Sequence, residues 1–411
     1  MRIEVINTGT ELLLGGRLNT HGAWLGQELF KIGLRIERQV TVPDGDAIRE
    51  ALADAVKRAD AVLVTGGLGP TSDDLTREIT AEVLGLEMME DEAALRSMEA
   101  FFAQRGRTMA DSNRKQAMNP VGADVLPNGQ GTAPGVYVPP RLNGRANCAV
   151  FLLPGPPREL YPMFEDEVSH RLRALSGVEI VHPVLELKFT GIGESDFHQQ
   201  LDAQLADIDD LEFGYCAHIG ELDLRLIGPD SALERARSLI LDHYASHLIS
   251  DDGSSLEATV VRLLTEQGKT LSTAESCTGG QISQRLTDVP GSSAAFTHGY
   301  VTYANEAKME MLGVSGESLI QCGAVSETVA NEMSAGALEK SGADLAVAVT
   351  GIAGPAGGSE QKPVGTAWVS VAVKNGSVTA SKVFHPRNRQ DFRQAVSQAA
   401  LEAIRRVLVN I

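Results

Sequence analysis

Glycines and carboxylates stand together after the apolar run Ala61–Thr65, in the string Gly-Gly-Leu-Gly-Pro-Thr-Ser-Asp-Asp-Leu-Thr of residues 66–76. Backbone N–H groups at a glycine turn and the positive end of the following helix favour a phosphate. Asp73 and Asp74 would repel a bare phosphate, so they predict a divalent cation between the carboxylates and the phosphate oxygens. The alternative for Asp74 is a helix cap, because Thr71-x-x-Asp74 has the spacing of a capping box.

A second string, Thr-Ala-Glu-Ser-Cys-Thr-Gly-Gly of residues 273–280, joins a predicted strand to a predicted helix. A hydroxyl at such a junction lies in a positive field, which helps it to ionise and stabilises a nearby oxyanion. Lys308 lies one turn into a later predicted helix, and a desolvated lysine can take the hydroxyl proton without any histidine. The alternatives are that Ser276 or Thr278 caps the helix and that Lys308 is an ordinary surface lysine.

A third string is the glycine-rich turn Thr-Gly-Ile-Ala-Gly-Pro-Ala-Gly-Gly of residues 350–358, which follows another apolar strand. Such a turn suits a phosphate or an oxyanion. Arg389 and Arg393 are four residues apart at the start of the last predicted helix, a spacing that suits a phosphate clamp. Their alternative is ordinary solvated charge.

The elements predicted around these strings indicate a mixed α/β protein of three parts. Residues 1–172 alternate strands and helices, including a helix from about Ser72 to Leu84, and this pattern is typical of a doubly wound sheet. Residues 173–250 predict a small α+β module, and residues 251–411 a second α/β domain. The polar stretch 250–255 is the predicted linker between the last two.

The turn Gly191-Ile-Gly193 in the middle module has some likeness to the glycine loop of KH-type RNA-binding modules. A KH loop has the form G-x-x-G with basic flanks, whereas Glu194 and Asp196 follow this turn. We therefore interpret the module as a structural spacer or a dimerisation domain, and we do not expect a nucleic acid as its partner.

The composition excludes several classes of protein. Acids outnumber bases by 54 to 36, for a formal charge of −18, which disfavours a protein that tracks nucleic-acid phosphates. No apolar run reaches the length of about 18 residues needed for a membrane span, and the first residues lack the pattern of a signal peptide. The four cysteines are far apart, so neither a zinc site nor a disulfide framework is indicated. A cytoplasmic location is the expectation.

Several motifs of residues 1–170 resemble the N-terminal domain of the CinA family, which is related to the MoaB/MogA molybdopterin-binding fold. They are Thr8-Gly9-Thr10-Glu11-Leu-Leu-Leu-Gly15, Asn19-Thr20, the 66–76 string, Lys115-Gln-Ala117, Gly131-Thr-Ala-Pro-Gly135 and Leu153-Pro-Gly-Pro-Pro157. Two places depart from the family pattern: Val42-Pro43-Asp44 stands where Val-Gly-Asp is expected, and Asn19-Thr20-His21 where Asn-Thr-Asn is expected.

This resemblance implies a metal-dependent ADP-ribose pyrophosphatase that yields AMP and ribose 5-phosphate. Asp73 and Asp74 are the candidate ligands of the divalent metal, of the Mg, Mn or Co type, while Glu11 and Asp44 could orient water or ribose hydroxyls. The nucleotide-binding residues expected on this basis are Thr10, Glu11, Asn19, Asp44, Gly66, Gly67, Gly69 and Thr71.

Residues from about Leu256 to Leu408 resemble the C-terminal domain of the same family, a nicotinamide mononucleotide amidohydrolase of the PncC type. The motifs are AESCTGG, GYVTYANEAK, GAVSE, TGIAGPAGG and KPVGT. The resemblance implies hydrolysis of the carboxamide of nicotinamide mononucleotide to nicotinate mononucleotide and ammonia, with no cofactor. The family pattern F-x-G-x-R is expected after Phe384, but the sequence there is His385-Pro-Arg-Asn-Arg389. The residue that contacts the phosphate could therefore lie one or two positions away from the expected one.

The resemblance also implies residue roles: Ser276 attacks the amide carbon, and Lys308 acts as general base and later as general acid. Tyr303 and Thr350 would support the substrate or the oxyanion. The expected substrate-binding residues are Glu275, Cys277, Thr278, Gly279, Gly280, Gly351, Gly354, Gly357, Gly358, Arg389 and Arg393.

Three alternatives stay open. Glu275, Cys277 and Lys308 are the residue types of a nitrilase-like thiol amidase, and a thiolate is a better intrinsic nucleophile than a serine hydroxyl. The chain could be an adaptor for recombination proteins that recruits basic partners through its acidic surface. The N-terminal domain could bind nucleotide without hydrolysing it. The interpretation taken here is a two-activity enzyme of pyridine-nucleotide recycling that forms a homodimer and acts on small nucleotides.

Overall fold

The computed structural model describes residues 1–142, 147–178 and 181–409. The chain divides into two compact units, Met1–Val181 and His182–Ile411. Both units are built from sheets with packed helices, so the predicted α/β fold class is confirmed. Within the described ranges, no helix is both long and apolar enough to cross a membrane.

The first unit is a doubly wound sheet of six strands in the order β2-β1-β3-β8-β7-β6, and the two remaining strands, β4 and β5, pair with each other. Its strands are β1 (Ile3–Thr8), β2 (Ile36–Val42), β3 (Ala61–Thr65), β4 (Met88–Glu90), β5 (Met118–Pro120), β6 (Asp124–Leu126), β7 (Gly135–Val138) and β8 (Ala149–Leu153). Its helices are α1 (Thr10–Leu13), α2 (His21–Lys31), α3 (Ala47–Arg58), α4 (Thr76–Leu84), α5 (Glu92–Ala103), α6 (Pro157–Met163) and α7 (Ser169–Ser176).

The central strands of this sheet run parallel and are buried on both faces. Every residue of β1, β3 and β8 is buried, as expected for apolar strands covered by helices on each side. β1 pairs in parallel with β2 and β3, and β3 with β8. The carboxyl ends of these strands therefore meet at one edge of the sheet, which is where a ligand cleft forms in such folds.

The helix after the first glycine string begins at Thr76, four residues later than predicted. The reason is a turn: the carboxylate of Asp74 accepts hydrogen bonds from the Thr71 backbone N–H and hydroxyl. The Thr76 hydroxyl then donates to the Gly66 carbonyl at 3.0 Å. Residues 66–75 thus form a loop that closes on itself before the helix starts.

The second unit contains the α+β module and the second α/β domain. The module is a four-stranded antiparallel sheet in the order β10-β11-β9-β12 with two helices. Its elements are β9 (Val184–Thr190), α8 (Glu194–Ala206), β10 (Glu212–His218), β11 (Glu221–Ile227), α9 (Asp230–Tyr244) and β12 (Leu248–Ser250).

The α/β domain has a five-stranded sheet in the order β14-β13-β15-β16-β17, in which β14, β13 and β15 are parallel and the last two strands antiparallel. Its strands are β13 (Leu271–Glu275), β14 (Phe296–Val301), β15 (Leu345–Gly351), β16 (Thr366–Val373) and β17 (Val378–Phe384). Its helices are α10 (Leu256–Glu266), α11 (Gln281–Thr287), α12 (Asn305–Leu312), α13 (Gly316–Cys322), α14 (Glu327–Ser341) and α15 (Arg389–Val409).

The division into two units differs from the predicted boundaries in two ways. α7 belongs to the first unit, because Leu172 is buried in its core, so that unit extends beyond residue 172. The α+β module shares the second unit with the C-terminal domain, and polar contacts join them: Gln398 Nε2 donates to Glu221 Oε1 at 2.6 Å and Arg405 Nη2 to the Ser246 carbonyl at 3.1 Å. The polar stretch 250–255 therefore lies within one compact unit.

Two candidate active sites

The loop that follows β13 carries Ser276 and ends at Gly280, the N-cap residue of α11. Gly279 and Gly280 have φ values of +61° and +94°, in the left-handed region that glycine adopts most readily. The Ser276 backbone N–H donates to the Val349 carbonyl of β15 at 3.1 Å. The nucleophile candidate is therefore held between two strand ends, at the carboxyl edge of the sheet.

Glu275 caps α11, whereas the sequence predicted a substrate contact. Its carboxylate is fully buried and accepts hydrogen bonds at 2.7–3.1 Å from the Thr278 hydroxyl, the N–H groups of Gly280, Ile282 and Ser283, and the Ser283 hydroxyl. A carboxylate in the positive field of a helix N-terminus is stabilised there. Because Glu275 supplies the cap, the Ser276 hydroxyl is not needed for it.

Lys308 reaches back from the first turn of α12 to the Ser276 hydroxyl. Its Nζ lies 3.1 Å from Ser276 Oγ and also donates to the carbonyls of Thr302 and Tyr303, at 2.8 and 3.2 Å. Lys308 is only 1% exposed, and in the described part of the chain no carboxylate forms an ion pair with it. Burial lowers the pKa of this lysine, so a neutral amine becomes accessible beside the hydroxyl. Lys308 is thus not a surface lysine.

Cys277 is the neighbour of Ser276 but points into the hydrophobic core. Burial raises the pKa of its thiol to about 12. At neutral pH the sulfur therefore stays protonated, and a thiol in that form is a poor nucleophile. The geometry favours Ser276 over the thiol-amidase alternative.

Arg389 and Arg393 connect the loops around Ser276. Arg389 donates to the Gly354 carbonyl at 3.0 Å and to the Tyr303 hydroxyl at 3.1 Å. Arg393 donates to the Thr278 carbonyl from both Nε and Nη2, at 3.1 and 2.6 Å. A guanidinium has five N–H donors, so each arginine keeps donors for an anion.

The remaining predicted residues of this site are Tyr303, Thr350 and the glycines of the 351–358 turn. Tyr303 is 62% exposed and faces Arg389. Thr350 is buried, and its hydroxyl donates to the Ala324 carbonyl at 2.8 Å, so the structure gives it a supporting contact. In the glycine loop, Gly354 and Gly357 have positive φ values, while Gly351 and Gly358 lie against neighbouring atoms that leave no room for a side chain.

The first unit has a cleft of about 530 Å³ at the carboxyl ends of its parallel strands. Every predicted nucleotide or metal residue except Thr10 lines it: Glu11, Asn19, Asp44, Gly66, Gly67, Gly69, Thr71, Asp73 and Asp74. Thr10 is exposed, and its backbone N–H and hydroxyl donate to Asp44 Oδ2 at 3.0 and 3.1 Å. Thr10 therefore positions Asp44, a residue of the cleft lining.

Asp73 and Asp74 differ in their surroundings. Asp74 is tied into the turn by Thr71, and Lys115 Nζ holds the same turn through the Asp74 carbonyl at 2.5 Å. Asp73 is exposed, and the Thr71 side chain holds its pKa below the ordinary value. Asp74 thus closes a turn with Thr71 and does not cap α4, whose N-cap residue is Leu75, while Asp73 is the freer ligand candidate.

The charges of the cleft fit a divalent cation. Five carboxylates line it, against one guanidinium, Arg17. An anionic ligand would be repelled unless a cation lies between, and Mg²⁺ commonly binds through one or two carboxylates plus substrate phosphates. No group of three or more His, Cys, Asp or Glu side chains among the described residues could hold a metal by itself, so phosphate oxygens and water would have to complete the shell.

Three cleft residues were missed from the sequence. His21 lines the cleft, its Nδ1 lies 3.2 Å from the Thr65 hydroxyl, and burial lowers its pKa. Glu159 also lines the cleft. Arg17 extends from the loop after α1. His21 could have been found from the sequence, because it is the residue that departs from the family pattern in Asn19-Thr20-His21. Glu159 could have been found because it closely follows the motif Leu153-Pro-Gly-Pro-Pro157.

Buried Arg77 supports the cleft from behind. Its guanidinium donates to the Leu68 carbonyl at 2.9 Å and to the Pro134 carbonyl at 2.6 Å. Burial lowers its pKa to about 10, so it remains charged at neutral pH. Gln116 donates to the same Leu68 carbonyl at 3.1 Å. These contacts join the 66–75 loop to the loop before β7.

Comparison with protein families gives two matches. Residues 253–408 match the "CinA C-terminal domain" model and residues 4–174 the "Probable molybdopterin binding domain" model. The two matches fall on the regions whose motifs indicated the CinA C-terminal domain and the MoaB/MogA-like domain, so that resemblance is confirmed.

Among similar proteins, a CinA-like protein of Akkermansia muciniphila is 48% identical over 404 residues, covering 98% of this chain and 97% of its own. A CinA-like protein of Syntrophomonas wolfei is 38% identical over 419 residues, covering 99% and 98%. Among solved structures, the competence/damage inducible protein CihA from Agrobacterium tumefaciens is 43% identical, covers 38% of this chain and 97% of its own, and has a TM-score of 0.36.

Proposed function

Because the chain belongs to the CinA family, we propose that it is a two-site hydrolase acting on fragments of pyridine nucleotides. The C-terminal site deamidates nicotinamide mononucleotide, and the N-terminal site hydrolyses ADP-ribose. The observation that carries the first activity is the contact of buried Lys308 with Ser276 at 3.1 Å. A lysine without a carboxylate partner beside a hydroxyl is the arrangement that an amide hydrolase without histidine needs.

In this mechanism Ser276 Oγ forms a bond to the carboxamide carbon while its proton passes to the neutral Lys308 amine. The tetrahedral intermediate collapses, the C–N bond breaks, and Lys308 returns the proton to the departing nitrogen, so ammonia leaves. Water then attacks the ester, and its proton passes through Lys308 to Ser276. The N–H groups of Gly279 and Gly280 already donate to the Ser276 carbonyl and to Glu275, so the oxyanion would need other donors.

Arg389 and Arg393 are the candidates for holding the 5′-phosphate. They lie on α15 and contact the loops that carry Ser276 and Gly354. Arginine is suited to this role because its planar fork matches phosphate oxygens.

The C-terminal proposal is tested by measuring ammonia released from nicotinamide mononucleotide by the purified chain. Ser276→Ala should reduce release by at least 10²-fold, since the nucleophile is lost, whereas Cys277→Ala should keep most of the rate. If Cys277→Ala alone were inactive, the thiol would be the nucleophile. No release from folded wild type would overturn the deamidase assignment.

At the N-terminal site, Asp73 and Asp74 would hold a divalent cation, which when bound neutralises charge on the pyrophosphate. The glycine turn would receive phosphate oxygens on its N–H groups, and Glu11 and Asp44 would contact ribose hydroxyls or water. The acidic lining of the cleft supports this arrangement.

The N-terminal proposal is tested by measuring AMP formed from ADP-ribose in the presence of Mg²⁺, Mn²⁺ or Co²⁺. Asp73→Asn should lower the rate and raise the metal concentration needed for half-maximal activity. Calorimetric titration with the metal supplies a reading independent of turnover. If Asp73→Asn kept both properties, the ligand assignment would be wrong, while binding of ADP-ribose without turnover would favour a purely regulatory domain.

A further inference from the structure

Glu159 lies in the first turn of α6 with its side chain only 9% exposed, and it lines the N-terminal cleft. Its Oε2 accepts a hydrogen bond from Asn128 Nδ2 at 2.9 Å. The orientation of this amide follows from a second contact, since Asn128 Oδ1 accepts from the Gln130 N–H at 3.0 Å. Asn128 therefore presents its NH₂ group to Glu159, and Oε2 is the acceptor.

The other oxygen, Oε1, has no hydrogen-bond donor in the described residues. The nearest cation is Arg158, whose Nη2 is 3.6 Å away and whose side chain is 78% exposed. Oε1 is not among the buried unpaired polar atoms of the described residues, so it is the oxygen of this largely buried carboxylate that solvent can reach, and a purely structural role would be served with less desolvation by a glutamine. The open oxygen therefore points to a function in the cleft.

The Glu159 carboxylate packs against Gly131, where any other residue would place a side chain. A Cβ atom at position 131 would lie 2.0 Å from Glu159 Oε2 and 2.8 Å from Oε1. Any side chain there would displace the carboxylate. The loop before β7 and the start of α6 are thus fitted to each other around this one group.

Glu159 and the candidate metal ligands come from different turns at the edge of the sheet. Asp73 and Asp74 come from the loop after β3, whereas Glu159 comes from the turn after β8. Asp44 and Asp74 each accept bonds from a neighbouring threonine, so they are less available to take a proton. A general base needs an oxygen that is free to accept a proton from the attacking water, and Glu159 lines the cleft with Oε1 free of hydrogen-bond donors among the described residues.

We propose that Glu159 is the general base of the N-terminal reaction and that Asn128 is its positioning residue; this inference rests on the proposed ADP-ribose hydrolysis. The water oxygen forms a bond to one phosphorus, and its proton passes to Glu159 Oε1. The bond from that phosphorus to the bridging oxygen breaks, and the bridging oxygen keeps the electron pair on the departing phosphate group. The products are AMP and ribose 5-phosphate, and no other reactant is needed.

The test uses the full chain and three variants. Glu159→Gln should lower kcat for AMP release by about 10²–10⁴-fold, the contribution usual for a general base, with KM for ADP-ribose within about twofold. Calorimetric binding of AMP should be unchanged. Glu159→Ala should regain at least about tenfold in rate with added formate, which replaces the missing carboxylate. Glu99→Gln, the same substitution at an exposed carboxylate of α5 outside the cleft lining, is the matched control and should match wild type.

Several outcomes would overturn the inference. A wild-type kcat in Glu159→Gln would remove the base role, and a raised metal requirement or weakened AMP binding would make Glu159 a ligand or binding residue instead. The melting transition of the first unit shows whether each variant folds. If wild type released no AMP at all, the proposed N-terminal function would fail together with this inference, whereas an unaffected variant would overturn the inference alone.

Discussion

Among single residues, Lys308 has the surroundings that bear most on catalysis. Its ammonium is held by one hydroxyl and two carbonyls, all neutral acceptors, and desolvation lowers its pKa. Neutral acceptors stabilise the charged form less than a carboxylate would. Lys308 can therefore exchange a proton with Ser276 at a pH where a surface lysine could not.

The first prediction concerns the pH dependence of deamidation. The base must be neutral, so kcat/KM for nicotinamide mononucleotide should rise with pH along an acid limb set by the lowered pKa of Lys308 and lying below the ordinary lysine range. The measurement is a pH–rate profile. Lys308→Arg should lose at least about 10²-fold at every pH, because a guanidinium stays protonated. A flat profile would show that Lys308 is not the base.

The same pKa shift has a consequence for folding. Because the folded-state pKa of Lys308 lies below its unfolded value, the unfolded chain binds more protons between the two values. Stability attributable to this group should therefore rise with pH through that window. Denaturant unfolding of wild type and Lys308→Met across the alkaline range should show this slope in wild type and not in the variant.

At the scale of elements, the start of α11 depends on Glu275. Five donors converge on its carboxylate. Glu275→Gln should cost about 2–4 kcal/mol, because hydrogen bonds to a charged acceptor are lost in a buried site, and it should also displace Ser276 and lower deamidation. Thermal unfolding and ammonia release measure the two effects. Glu327→Gln, at an exposed first-turn acid of α14, is the control and should change neither.

In the first unit, Arg77 connects two loops of the cleft through hydrogen bonds to the Leu68 and Pro134 carbonyls. Arg77→Met should cost about 2–3 kcal/mol by removing two charge-assisted bonds to carbonyls, and it should raise KM for ADP-ribose because the two cleft loops lose their connection. Ammonia release should stay at the wild-type rate. Denaturant unfolding together with both activity assays checks this, and an unchanged KM would show that the loops hold their positions without the arginine.

Much of this arrangement could be predicted from local pattern. Buried strands followed by glycines gave the strand ends correctly at Ala61–Thr65 and Ala149–Leu153. The start of α4 was misplaced because a threonine–aspartate turn was indistinguishable from a capping box. The cap by Glu275, the buried contact of Thr350 and the burial of Lys308 depend on contacts with distant strands and loops. The periodicity of apolar residues along the sequence indicates helices and strands, but it does not indicate which distant residues come into contact.

On the scale of the whole molecule, the two compact units have separate cores. The first unit has apolar clusters on each side of its sheet, and the second has clusters in both its module and its α/β domain. Separate cores favour separate unfolding. The proposed ligands also differ between the units.

Calorimetric melting should accordingly show at least two transitions. Nicotinamide mononucleotide with Ser276→Ala at about 100 times Kd should raise one of them by roughly 5–10 °C, from the binding linkage of about 2.7 kcal/mol. AMP should raise the other. One cooperative transition that responds to both ligands would contradict this independence.

The spacing between three contact residues of helix α15 constrains the number of residues in that helix. Over 21 residues it contacts the Ser276 loop through Arg393, the β10–β11 hairpin through Gln398 and the segment before β12 through Arg405. Each residue advances a helix by about 100°, so a single insertion or deletion between these positions would turn one contact away from its partner. In a library of one-residue insertions, this helix should therefore tolerate changes only beyond its outermost contacts.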